Sequence, residues 1–267
     1  TLPPLERFDL EQVRSLMDQR KYFVLHAPRQ TGKTTCLLAL RDVLNAEGKL
    51  LCVYANMEVA QAARDDFAKG LSLILREIAR DAEDRGDASA ERIRRDMESE
   101  RAPVASLTDF LARWCAELKR PLGLLLDEVD SLVDTLISVL RHLRAGYHNR
   151  PGRFPQSVVL CGVRDVRDYR LRINSGKEVI TGGSAFNIKA KSLRLGDFCQ
   201  REVEALYSQH TEETGQRFEP EALALAWDLT RGQPWLVNAL AYEVCFESRE
   251  GRDRTRPVTP GMLLAAK

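Results

Sequence analysis

The residues best placed to do chemistry are Gly32, Lys33, Thr34 and Thr35, which close the run KYFVLHAPRQTGKTT at residues 21–35. A short polar loop between an apolar strand and a helix start leaves successive backbone N–H groups unpaired, and these converge on anionic phosphates. In such a loop Gly32 allows close approach of the backbone, Lys33 reaches the β- and γ-phosphates of a nucleotide, and the Thr34 hydroxyl ligates Mg2+. Ala27, Pro28, Arg29, Gln30 and Thr31 complete the candidate cradle. The usual pattern, G-x-x-x-x-G-K-[ST], has Gly at its first position, where this chain has Ala27, the next smallest side chain. That departure bears on the shape of the loop. A tight turn without a ligand is the alternative reading. The strand expected at 22–26 and the amphipathic run at 36–44 supply the context that phosphate binding requires.

A second group of reactive side chains is Asp127-Glu128-Val129-Asp130, which follows the apolar run at 121–126. Buried parallel strands read as uninterrupted apolar runs, and ligands gather at their carboxyl ends, so Asp127 and Glu128 belong beside the loop. There Asp127 holds Mg2+, directly or through water, and Glu128 orients and deprotonates an attacking water. An acidic helix N-cap after a strand is the structural alternative. The four histidines have no metal-ligand spacing, and the six cysteines are dispersed without a C-x-x-C pair, so they read as buried thiols in a reducing cytoplasm.

The elements that must position these groups follow from periodicity. A helix is expected at 10–19 after the Pro3-Pro4 entry, lying near the adenine or covering the sheet edge. The helix after the loop ends near Gly48, and a strand follows at 50–55. Apolar residues from 59 to 82 recur at helical spacing, as do those from 104 to 119. The charge run at 83–102 between them reads as a solvated helical surface or a mobile segment. Beyond Glu128 come a helix at 131–147, an Arg-rich loop at 149–155, a strand at 157–161, a polar stretch with a flexible loop at 165–183, and a strand at 185–188. Helices are then expected at 198–210, 219–229 and 234–246, with Gly215 and Gly232 as breaks. The chain stops at Lys267 inside a helix-like run, as a fragment would.

With 267 residues there is room for one α/β core and a smaller module. Lys and Arg number 40 against 39 Asp and Glu, a formal charge of +1, so no global attraction to nucleic acid or membrane is indicated. No apolar stretch approaches the roughly 18 residues of a membrane span.

A strand between the two nucleotide motifs and an acidic residue after Asp127 make the core similar to the additional-strand P-loop ATPases, the group holding AAA+ and STAND proteins. Residues 158–164, VVLCGVR, resemble the STAND strand that ends in an arginine sensing the γ-phosphate, here Arg164. Residues 230–235, TRGQPW, resemble the Gly-x-Pro motif of the helical lid, whose Pro, here Pro234, lies against adenine. Read from the residues alone, Gly232-Gln233-Pro234 is equally a helix break and restart. The phrase FNIKAKSLRLGDF leading into the lid is similar to bacterial AAA-like ATPases of this type. The resemblance implies a three-layer α/β core at 1–192 with a mostly parallel five-stranded sheet. An all-helical lid at 193–267 then runs into a further C-terminal segment.

It also implies ATP and Mg2+ as cofactors and hydrolysis that switches the angle between core and lid. A second molecule often supplies an arginine to the γ-phosphate, so self-assembly is expected, with Arg141, Arg144, Arg150 and Arg153 as candidates against a plain solvated surface. The rival functions are a nucleotide-gated scaffold with little turnover, answering to a protein effector or an additional C-terminal domain, and a DNA-associated ATPase.

Overall fold

Five short runs pair into one sheet: β1 (Tyr22–His26), β2 (Leu51–Asn56), β3 (Leu122–Asp127), β4 (Ser157–Gly162) and β5 (Lys189–Arg194). The structure, a computed structural model, describes residues 2–63, 66–100, 106–131, 133–164 and 189–266. Two compact units emerge, the larger made of Asp9–Pro28 and Lys33–Arg194, the smaller of Thr1–Phe8, Arg29–Gly32 and Leu195–Lys267.

In the larger unit every strand pairing is parallel and the order is β2-β3-β4-β1-β5. Parallel neighbours require long crossovers, which cover the faces of the sheet with helices. These are α1 (Leu10–Asp18), α2 (Lys33–Ala46), α3 (Phe67–Asp84), α4 (Ser89–Ser99), α5 (Leu107–Glu117) and α6 (Val133–Gly146). Alternation along the strands sends Val24, Val53, Leu124 and Leu160 into one core with Ile78, Trp114 and Leu140. Each such large side chain contributes about 1.5–3 kcal/mol by leaving water. The opposite face meets α1 and α2. A Cβ on Gly123 would stand 3.0 Å from Cε of Met17, and Asn45 bridges to Cys52 through its amide, donating to the carbonyl at 2.7 Å and accepting from the N–H at 3.0 Å. The register sets His26 beside Gly162 and Asn56 beside Asp127, so the strand ends share one edge.

Three expectations are corrected. The helical spacing at 59–82 divides into a 3-10 stretch, Met57–Ala63, and α3. Asp66 restarts the helix by accepting from the N–H of Lys69 at 2.9 Å, an N-cap that apolar periodicity alone does not reveal. Of the two readings of the charge run at 83–102, a helix is the one found, α4, but it is not wholly solvated: it buries Ala90, Ile93, Arg94 and Met97 along one stripe. The fifth strand occupies residues 189–194, inside the phrase read as leading into the lid. Residues 185–188 and the loop at 165–183 lie outside the described residues.

The smaller unit is helical: α7 (Gln200–Thr214), α8 (Pro220–Thr230), α9 (Pro234–Tyr242) and α10 (Pro260–Ala265), with a π turn, Glu243–Glu247, where the helix from Pro234 was expected to continue. Val203, Tyr207, Ala226, Val237 and Val244 form its core. Gly232 is fixed here by packing: at φ 74° its Cβ would stand 1.9 Å from the carbonyl oxygen of Phe198. Cys199, exposed at the N-cap of α7, departs from the reading of all six thiols as buried; the other five are buried.

On α4 the guanidinium of Arg94, 7% exposed, holds the Glu91 carboxylate with two bonds, Nε to Oε2 at 2.7 Å and Nη2 to Oε1 at 2.8 Å. Arg95 adds a third at 2.7 Å. These bonds, Arg94 foremost, hold the Glu91 carboxyl down to about 2. A carboxyl depressed in the folded state stabilises fully above its unfolded value of 4.5 and loses that contribution as pH falls toward 2. Glu91→Gln should therefore cost about 1–2 kcal/mol at pH 7, a deficit that narrows from pH 4.5 downward in urea unfolding followed across pH.

Candidate functional site

The loop at 27–32 passes from β1 directly into α2. Its backbone turns left-handed at Gln30, φ 58°, and at Gly32, φ 82°. Nothing acidic occupies the first turn of α2, so the partial positive charge of that N-terminus is free to act on an anion. Ala27 is fully buried and its N–H donates to the carbonyl of Gly162 at 3.2 Å. Ala27 is absent from the left-handed positions, so a methyl group there costs no backbone strain. Lys33 is only 4% exposed. Its ammonium donates to two neutral carbonyls, Ala27 at 3.2 Å and Pro28 at 3.0 Å, which hold it at the loop without cancelling its charge. Pro28, Arg29, Gln30, Thr34 and Thr35 are exposed, and Thr31 is buried.

Within the smaller unit, Arg7 on the 3-10 turn Pro4–Arg7 donates to the carbonyls of Thr31 and Gly196, with its guanidinium 4.7 Å from the ring centre of Phe198. A Cβ at Gly32 would stand 3.2 Å from Nη1 of Arg7, so the glycine serves both its own φ and this approach.

At the end of β3 the carboxylate of Asp127 is fully buried. Oδ2 accepts from the Thr34 hydroxyl at 2.7 Å and from the Tyr54 hydroxyl at 3.1 Å, and Oδ1 accepts from the N–H of Glu128 at 2.9 Å. Burial, then the Asp127 charge, pushes the Tyr54 phenol above its ordinary value, and the same two causes push the Cys161 thiol well up. Both groups stay protonated beside the carboxylate. The Thr34 hydroxyl oxygen and a hard carboxylate oxygen of Asp127 suit a Mg2+ ion shared with phosphate oxygens. Among the described residues no group of three or more His, Cys, Asp or Glu side chains could hold a metal by itself.

Glu128 is half-buried with φ 51°, a strained conformation for a residue with a Cβ. Burial raises its carboxyl above the ordinary range; Lys33 pulls it back, while Asp127, Asp130 and Glu58 push it further up. Asp130 accepts at Oδ1 from the N–H of Val163 at 3.2 Å, which ties the turn after β3 to the end of β4. Arg164 follows there, exposed.

Lys33, Thr34, Asp127 and Glu128 thus stand together in the larger unit. Pro234 opens α9 of the smaller unit, buried, behind the packed Gly232. Among the candidate trans arginines, Arg150 is committed to structure: its guanidinium lies 3.4 Å from the ring centre of Tyr147 and its Nε donates to the Tyr147 carbonyl at 2.7 Å. Arg141, Arg144 and Arg153 are exposed. Tyr54 and Arg7 carry no motif in the sequence, and Asp130 stands in the acidic group there without a role of its own. Tyr54 had a signal, a hydroxyl near the carboxyl end of an apolar strand, but its pairing with β3 was needed to give that position meaning.

Residues 15–169, more than half of the chain, match the family model of the AAA domain. No curated protein sequence matches. Among solved structures, ORC2 of Aeropyrum pernix in its ADPNP–ADP complexes is 17% identical with a TM-score of 0.56, over 96% of this chain and 66% of that one. ORC1 of Aeropyrum pernix in complex with DNA is 14% identical with a TM-score of 0.58, over 96% and 63%. The Walker-type ATPase PABY2304 of Pyrococcus abyssi is 13% identical with a TM-score of 0.61, over 99% and 71%. The chain therefore spans less than two thirds of the length of either ORC protein. At such identities the shared feature is the fold, a parallel sheet with flanking helices followed by a helical region, and with the match over 15–169 it follows that this chain belongs to the AAA domain family.

Proposed function

We propose that the protein is a Mg2+-dependent ATPase of the STAND side of the additional-strand class, acting in the cytoplasm as a switch between a core at 1–192 and a lid at 193–267. The observation that carries this reading is the Thr34–Asp127 contact at 2.7 Å with Glu128 as the next residue, which gathers a cation site and a base at the end of one strand.

The backbone N–H groups of the loop and the Lys33 ammonium take the β- and γ-phosphates. Thr34 and Asp127 would hold Mg2+, which would supply neutralisation of charge on the phosphate oxygens. Glu128, with a carboxyl raised above the ordinary range, orients the attacking water and accepts its proton. Arg164 answers to the γ-phosphate and Pro234 to the adenine, so loss of the γ-phosphate shifts the populated core–lid angle. An arginine from a second copy completes the charge on the phosphate, and this makes assembly part of turnover. A protein effector or further domain reads the switch.

Steady-state ATP hydrolysis with Mg2+ across protein concentration tests this. Turnover per molecule should rise with concentration and fall at least 100-fold in Lys33→Ala and in Glu128→Gln, with Glu128→Gln still binding ATP. Tight ATP binding without turnover at any concentration supports a nucleotide-gated scaffold instead. Because ORC1 was solved with DNA, a salt-sensitive shift of labelled DNA would support the DNA-associated reading.

The same variant carries a stability prediction. A carboxyl raised in the folded state contributes fully below its unfolded value, 4.5, and that contribution is lost as pH rises through the folded value. At pH 7–8 Glu128→Gln should melt about 2–4 °C above the parent, an advantage that shrinks toward pH 4 in thermal scans without nucleotide.

A further inference from the structure

Tyr54 bonds two buried carboxylates, one through its hydroxyl and one through its backbone. Its hydroxyl donates to Oδ2 of Asp127 at 3.1 Å, the oxygen that also accepts from Thr34. Its backbone N–H donates to Oδ2 of Asp81 at 2.9 Å. Asp81, a buried residue of α3, accepts at Oδ1 from Nη1 of Arg41 at 2.6 Å. Arg41 lies on α2, two turns beyond Thr34, so the connections close a ring: Thr34 and Arg41 on α2, Asp81 on α3, Tyr54 on β2 and Asp127 on β3. A buried carboxylate that must present one fixed edge to a cation needs donors on its other positions. Of the groups that donate to Asp127, the N–H of Glu128 belongs to its own turn and the hydroxyl of Thr34 is itself a candidate ligand. Tyr54 is a fixed side-chain hydroxyl donor outside that ligand set, placed with the weaker thiol donor of Cys161 on the same carboxylate.

We infer that Tyr54 is a positioning residue for Asp127, setting the orientation of the metal-binding carboxylate and hence the affinity for a divalent cation with nucleotide. The inference rests on the nucleotide-binding reading above. Partners that orient a metal ligand typically change metal affinity by about 10-fold to 100-fold when removed. Tyr54→Phe keeps the ring and removes only the donor.

The test uses the whole 267-residue chain, a fluorescent ADP and Mn2+ as the cation. Nucleotide affinity is measured in EDTA, and Mn2+ affinity at saturating ADP is measured from the paramagnetic resonance signal of free Mn2+. Tyr54→Phe should bind fluorescent ADP in EDTA within twofold of the parent and bind Mn2+ about tenfold more weakly. Equal Mn2+ affinity in the two proteins overturns the inference and leaves the nucleotide reading standing. A parent that binds no ADP overturns both. A variant that loses ADP binding in EDTA shows a general packing role for Tyr54 and overturns the inference as well.

Discussion

A carboxylate buried completely at the end of a central strand is the constraint on which the rest of this fold turns. Isolated charges are costly away from water and persist only where donors or cations meet them. Asp127 is met by a hydroxyl from α2, a hydroxyl from β2 and the amide of its own turn. The two hydroxyls lie 93 and 73 positions from Asp127 in sequence, so the carboxylate is satisfied only when α2, β2 and β3 are correctly assembled. The sheet order provides that assembly. β4 sits between β1 and β3, takes the N–H of Ala27 on one side, and is held through Val163 by Asp130 on the other. The strands that lead into the loop and into the carboxylates, β1 and β3, are therefore separated by one whole strand, β4.

The central motifs were legible because they are local. An apolar strand, a small polar loop and a helix start occupy 15 consecutive residues at 21–35, and the run into Asp127 is equally contiguous. What sequence did not disclose depends on contacts between distant segments. Tyr54 gains its role only from pairing of β2 with β3. Arg7 meets Thr31 across 24 positions and Gly196 across 189. The burial of α4 was hidden for a different reason: its apolar stripe of Ala90, Ile93 and Met97 is narrow, and the remaining buried position is Arg94, whose charge disguises a core contact. Long side chains bury their stems while a carboxylate takes the head, so composition alone assigns such a helix to solvent.

The smaller unit shows how one signal can hold two meanings. Gly-x-Pro before α9 reads as a break and restart, and its packing bears that out, because Gly232 accepts the Phe198 N–H at 2.8 Å in a space that no Cβ could enter. Pro234 then occupies the first helical turn, where its missing N–H costs nothing. A contact of Pro234 with adenine would add to this cause and would not replace it.

Strain is distributed in the same way. Left-handed backbone outside glycine costs on the order of 1–2 kcal/mol per residue. Gln30 and Glu128 both adopt it, one at the tip of the phosphate loop and one directly after Asp127. Glycine at either position would relieve the backbone. At position 128 it would also remove the carboxyl, and the acid is the group whose burial beside Asp127 and Asp130 already works against stability. A turn that is strained in its backbone and crowded in its charge is a poor choice for folding. It makes sense where the charge has a task, and this is the physical argument behind the proposal of Glu128 as the base, while Asp130 holds the end of β4.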